Sequence, residues 1–231
     1  MKTIGLVGGM SWESTQEYYR IINETVKEKL GGFHSGQIAL YSLDFADIEL
    51  MQQREEWDRM AEMLVEAFRR IEAAGADMGL LCTNTMHKVF NEIQKNVRIP
   101  LIHIADVTGR AIAARGLQRV GLLGTRFTME QEFYKGKLTS DYGIDVLIPD
   151  NDERQAIHAI IYNELCLGQV KDASRRAFKK IIARLEDRGA QGIVLGCTEI
   201  PLLVKQEDHR LPLFDTTDLH ARAAVDLALR D

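Results

Sequence analysis

The chain of 231 residues has no run of about 18 apolar residues that could span a bilayer, and no apolar leader core follows Met1 and Lys2. A soluble, unexported protein is therefore expected. It holds only three cysteines, Cys82, Cys166 and Cys197, an odd number and too sparse for a disulfide framework in a chain this long. That scarcity points to a reducing, cytoplasmic compartment. The cysteines show no metal-ligand spacing, and the six histidines do not cluster with them, so no metal site is expected. Positive charge is also short. Lys and Arg number 29 against 34 Asp and Glu, and the net charge of −5 gives no footing for nucleic acid or an anionic membrane.

What is present is ordinary for a globular protein: 45% hydrophobic and 27% charged residues, in a length that allows one large domain or two of about 110–120 residues. Short apolar runs alternate with amphipathic stretches. Strands are expected at Thr3–Gly9, Gln37–Leu43, Met78–Cys82, Ile99–Ile104, Arg119–Thr125, Ile144–Ile148, Ile193–Leu195 and Leu211–Phe214. A long helix is expected over Trp57–Ala73, with Met60, Leu64, Ala67, Phe68 and Ile71 on one face and Gly75 as its stop. Further helices are expected over Thr128–Leu138, Glu153–Leu167, Lys171–Arg188 and Leu219–Leu229, and a loop over Asp44–Asp47. Strands alternating with helices predict parallel sheets covered on both faces.

The chain also repeats itself. Leu6-Val7-Gly8-Gly9 matches Leu122-Leu123-Gly124-Thr125, and Leu80-Leu81-Cys82-Thr83-Asn84-Thr85 matches Val194-Leu195-Gly196-Cys197-Thr198-Glu199. Ile99-Pro100-Leu101-Ile102 matches Leu211-Pro212-Leu213-Phe214. The spacings agree: Gly8 to Thr83 is 75 positions and Gly124 to Cys197 is 73. Three matches in order at preserved spacing imply an α/β protein of two pseudosymmetric domains, each a mainly parallel sheet flanked by helices. The expected lobes are residues 1–107 with 215–231, carrying Thr83, and residues 108–214, carrying Cys197. Open α/β sheets place ligands at the carboxyl ends of their strands. Thr83 and Cys197 would thus be tips facing a shared cleft, suited to moving a proton from one face of a carbon to the other. Near backbone N–H groups the Cys197 thiol can titrate as a thiolate; packing is its alternative role.

Three motifs, Gly5-Leu6-Val7-Gly8-Gly9-Met10-Ser11-Trp12, Thr83-Asn84-Thr85-Met86-His87 and Gly196-Cys197-Thr198-Glu199, resemble the aspartate/glutamate racemase family from end to end. The resemblance implies a homodimer that racemises an amino acid at Cα with no cofactor, in particular no pyridoxal phosphate, using one cysteine per domain. Here Thr83 stands where the family's first cysteine does, and Cys82 is one residue early, on the opposite side of an extended segment. A hydroxyl is a far weaker acid or base than a thiol with its reference pKa of about 8.5, so an asymmetric site is expected, with Cys197 as the base. The family's Ile-Tyr-x-x-Val-Lys-x-Gly stretch reads Ile161-Tyr162-Asn163-Glu164-Leu165-Cys166-Leu167-Gly168, with Cys166 in place of the lysine that helps hold a distal carboxylate. Aspartate preference is then in doubt, and glutamate or a broader set of amino acids enters.

The expected catalytic pair is Cys197 and Thr83, with Thr83 as proton relay or helix cap. Met10, Gln52, Arg54, Asn84, Thr85, Thr125, Thr128 and Thr198 are the candidate substrate contacts. Arg54 is a source of the missing charge, and Asn84, Thr85 and Thr198 stand at helix starts that can hold a carboxylate. His87 is either a proton relay or a satisfied core histidine. A single-cysteine decarboxylase or isomerase of a related diacid, and a non-catalytic amino-acid-binding protein, are the alternatives.

Overall fold

The apolar runs become strands buried along nearly their whole length in the computed structural model, which describes residues 1–230. β1 (Ile4–Gly8), β3 (Met78–Leu81) and β7 (Ile193–Gly196) are buried throughout, and β5 (Arg119–Gly124) is buried after its first residue. Uninterrupted apolar strands without polar alternation are what a parallel sheet with both faces covered requires. The outer strands β2 (Ile38–Ser42) and β6 (Asp145–Leu147) are partly exposed, and β4 (Leu101–Ile102) and β8 (Leu213–Asp215) are short. They form two four-stranded sheets, β2-β1-β3-β4 and β6-β5-β7-β8, with every pairing parallel.

The duplication seen in the sequence reappears as register. Leu81 lies opposite Val7 in the first sheet, and Leu195 lies opposite Leu123 in the second. Thr83 and Cys197 each lie two residues beyond these matched positions, after the inner strands β3 and β7. The chain divides into two compact units: residues 1–104 with the segment from His220 onward, and Ala105–Leu219.

In the first unit, α1 (Trp12–Leu30) and α3 (Trp57–Ala73) cover the sheet. α3 buries Met60, Leu64, Ala67, Phe68 and Ile71, the stripe its periodicity predicts. Each such side chain contributes about 1.5–3 kcal/mol when fully buried. Gly75, at φ +89°, supplies the turn that ends the helix. In the second unit, α9 (Asp172–Asp187) buries Phe178, Ile181, Ile182 and Leu185 in the same way.

Several segments depart from the sequence reading. Where a loop was expected at Asp44–Asp47, α2 (Phe45–Gln53) begins, because the Asp44 carboxylate accepts from the Ala46 N–H at 3.1 Å and caps it. The helix expected over Thr128–Leu138 is two, α6 (Arg126–Glu130) and α7 (Glu132–Tyr142), broken where Gln131 is extended. The helix expected to reach Leu167 stops at Asn163 (α8, Asn151–Asn163), since Glu164 leaves helical geometry and Leu165–Leu167 tighten into a 3₁₀ turn. α4 (Phe90–Asn96), α5 (Ile104–Ala114), the single-turn α10 (Ile200–Leu203) and α11 (Thr216–Ala228) complete the helices used below.

Candidate active site

In the first unit the site residues come from the turns that follow β1 and β3. Gly9 has φ +85°, and a Cβ there would lie 2.1 Å from the Leu43 carbonyl oxygen, so only glycine lets the chain turn at this point. Met10 and Ser11 follow, both buried. Beyond β3, Cys82 is wholly buried, its Sγ 3.9 Å from the Leu80 carbonyl, and burial pushes its thiol far up. It is a packed thiol. Thr83 is buried at the next position, with its N–H on the Leu81 carbonyl at 2.8 Å.

His87 is tied at both ring nitrogens. Nδ1–H donates to the Thr83 carbonyl at 2.7 Å, and Nε2 accepts the Ile104 N–H at 3.2 Å. Burial, together with the nearby rings of His103 and His220, drives its pKa well below the usual histidine range. Geometry and charge both favour the core-histidine reading over a relay: His87 holds the Thr83 loop in place. His220 is tied alike, Nε2–H to the Ile102 carbonyl at 2.8 Å and Nδ1 accepting the Tyr18 hydroxyl at 3.0 Å, and burial lowers it to about 3.

Asn84 and Thr85, which open the 3₁₀ turn Thr85–Val89, are buried with Thr83. Gln52 joins them from the end of α2, buried, with its Nε2 3.3 Å from Met86 Sδ. Arg54 does not. It lies past the end of α2, its side chain 59% exposed, with only a 3.9 Å ion pair to Glu56.

In the second unit the equivalent turns hold Thr125 and Cys197. Thr125 caps α6, accepting the Thr128 N–H at 3.3 Å, and the two buried hydroxyls lie 3.2 Å apart. Gly124 lies opposite Gly196, and a Cβ at Gly124 would stand 2.7 Å from the Gly196 carbonyl, so the strand ends can approach this closely only without side chains. Cys197, 6% exposed, donates from Sγ to Glu199 Oε2 at 2.9 Å, and the Thr198 hydroxyl donates to the same oxygen at 3.1 Å.

That carboxylate corrects one expectation. Burial first, then the charge of Glu199, holds the Cys197 thiol well above its ordinary pKa, and only the Glu199 backbone N–H pulls the other way. The helix start that was expected to favour thiolate belongs to a helix of four residues, and it is outweighed. The resting group is a thiol with a proton acceptor in contact. It can hand a proton to a carbanion directly, and it becomes a base once Glu199 has taken that proton.

Glu199 was the functional group that reading the sequence overlooked; its signal was a carboxylate two residues past the cysteine at a strand end. Cys166 lies half-buried in the 3₁₀ turn that packs on α10. Among the described residues no three His, Cys, Asp or Glu are gathered to hold a metal ion, and no helix is long and apolar enough to cross a membrane.

The profile of the Asp/Glu/Hydantoin racemases matches residues 7–224. A crystal structure from Yersinia pestis, of a protein assigned to the Asp/Glu racemases, is 52% identical over all of both chains, with a TM-score of 0.91. An aspartate racemase homologue from Pyrococcus horikoshii OT3 is 35% identical, again over all of both chains, with a TM-score of 0.86. The broad specificity amino-acid racemase RacX of Bacillus subtilis is 22% identical over 96% of each chain.

Proposed function

The chain belongs to the Asp/Glu/Hydantoin racemase family and is an isomerase of the racemase class; on that premise we propose that it racemises acidic amino acids, without pyridoxal phosphate, using Cys197 as the principal acid and base. The observation that carries this reading is the Cys197 thiol hydrogen-bonded to the Glu199 carboxylate at a strand tip. In the abstracting direction the thiol proton passes to Glu199 Oε2, and the thiolate then takes the α-proton. A new S–H bond forms while the C–H electron pair moves to Cα and its carboxylate. In the other direction Cys197 protonates that carbanion.

Thr83 serves the complementary transfer. Its support is its register position, equivalent to that of Cys197. A hydroxyl there makes the two directions unequal, because its acidity lies far from neutral pH. Thr85, Asn84 and Thr198 receive the α-carboxylate at their helix starts, and Met10, Gln52, Thr125 and Thr128 bound the substrate. With Cys166 in place of the lysine and Arg54 exposed, acceptance beyond aspartate follows, in keeping with the breadth printed for RacX. The family resemblance further supports a homodimer, and the three sparse cysteines support a reducing, cytoplasmic setting.

The test is a chirality-resolved turnover screen in deuterated water with both hands of aspartate, glutamate and a neutral panel. The parent should exchange the α-hydrogen with inversion, Cys197→Ser should lose exchange, and Thr83→Cys should bring the two directions closer in rate. If no amino acid loses its α-hydrogen to the parent, the reading fails.

A further inference from the structure

Glu13 is a buried carboxyl with nothing to hold it. It is 7% exposed, its Oε2 is buried with no hydrogen-bond partner, and it enters no ion pair among the described residues. Glutamate is almost never buried unless paired. Glu13 lies in the first turn of the 19-residue α1, whose dipole favours negative charge. That favour falls off within the first turn and gives Oε2 no hydrogen bond. A buried polar atom left without a partner calls for an explanation, and a ligand group that reaches it supplies one.

The sign of that ligand follows from the surroundings. Among the described residues no lysine or arginine is buried. The histidines tied in the same unit, His87 and His220, are held neutral by burial and by hydrogen bonds at both ring nitrogens. None of these groups offers Glu13 a buried positive charge. The turn in question, Gly9 to Thr15, sits at the end of β1, and β1 pairs directly with β3, the strand that ends at the Thr83 tip. The Thr15 hydroxyl fixes it, accepting the Gly9 N–H at 2.9 Å and donating to the Ser11 carbonyl at 2.7 Å. An α-amino acid brings one cation to such a place, its ammonium group.

We propose that Glu13 is the binding residue for the α-ammonium group of the substrate. This rests on the racemase reading and adds to it a reason for the chemistry. A carboxylate beside the ammonium keeps it protonated, and a protonated ammonium makes the neighbouring Cα–H more acidic, a part that an imine cofactor plays in other racemases. It also sets specificity: a 2-hydroxy acid of the same skeleton offers Glu13 no cation.

The experiment is calorimetric binding to the full chain of L-glutamate and L-aspartate, against 2-hydroxyglutarate and malate, for the parent, Glu13→Gln and Glu13→Asp. The parent should favour the amino acids. Glu13→Gln should reduce that preference ten- to a hundredfold, the range for a lost hydrogen bond to a charged group, and Glu13→Asp should restore part of it. Without ligand, Glu13→Gln should melt no lower than the parent, since a neutral amide is less costly to bury than an unpaired carboxylate. A Glu13→Gln protein that melts lower and keeps the parent's preference, or one that loses only its self-association, overturns the proposal and makes Glu13 structural. Turnover by the parent with that preference intact in Glu13→Gln sinks this inference alone; a parent that neither binds nor turns over amino acids sinks the racemase reading with it.

Discussion

Replacing Glu199 with glutamine should separate two things the carboxylate does to Cys197. It raises the thiol pKa by its charge, and it accepts the thiol proton at 2.9 Å. With the charge centre about 4 Å from the sulfur, the repulsion of thiolate and carboxylate is about 4 kcal/mol at an effective dielectric of 20. At 1.36 kcal/mol per pKa unit, Glu199→Gln should lower the thiol pKa by up to about three units, leaving the burial contribution in place. The rate of alkylation by iodoacetamide against pH reports that shift, as does thiolate absorbance, and neither needs a substrate. Racemisation should move the other way. Loss of a positioned proton acceptor costs about 10²–10⁴-fold, so α-deuterium exchange should fall even as the thiolate becomes more abundant. An alkylation profile that stays put, or exchange within threefold of the parent, would refute the coupling of these two groups.

The first unit should weaken in mild acid. His87 and His220 are held neutral with folded pKa values well below 6.5, that of His220 at about 3. As pH falls through 6.5 the unfolded chain takes up two protons that the folded one refuses, so stability is present above that pH and lost below it, by at most about 2.7 kcal/mol per unit. Asp215, raised to about 6 by burial in the second unit, works the opposite way between pH 6 and 4. Both tryptophans, Trp12 and Trp57, lie in the first unit, so urea unfolding followed by their fluorescence should show stability falling between pH 7 and 5, by less than about 4 kcal/mol because Asp215 opposes it. A flat profile would contradict the histidine assignment. Gly9→Ala should destabilise by about 3 kcal/mol, from its φ of +85° and the close Leu43 carbonyl, and thermal melting within a degree of the parent would show that the turn can relax.

Much of the architecture was legible because it rests on local pattern. Short apolar runs without alternation, bounded by glycines, fit strands buried on both faces, and the repeat at preserved spacing implies the doubled sheet. α3 ran from Trp57 to Ala73 as its periodicity dictated. α2 was harder, since its buried positions, Ile48, Met51 and Gln52, make too narrow a face to separate from a loop. The candidates Cys197 and Thr83 came from strand-end position together with the repeat and the family motifs, because a parallel sheet presents whatever follows its central strands. The protonation of Cys197 was beyond the sequence: it depends on burial and on where one carboxylate oxygen lies, and both are set by contacts in three dimensions. The same holds for His87, whose residue type fits a shuttle and whose two hydrogen bonds make it a brace. Glu13 carried no signal in the sequence, and only the packing shows its Oε2 buried without a partner.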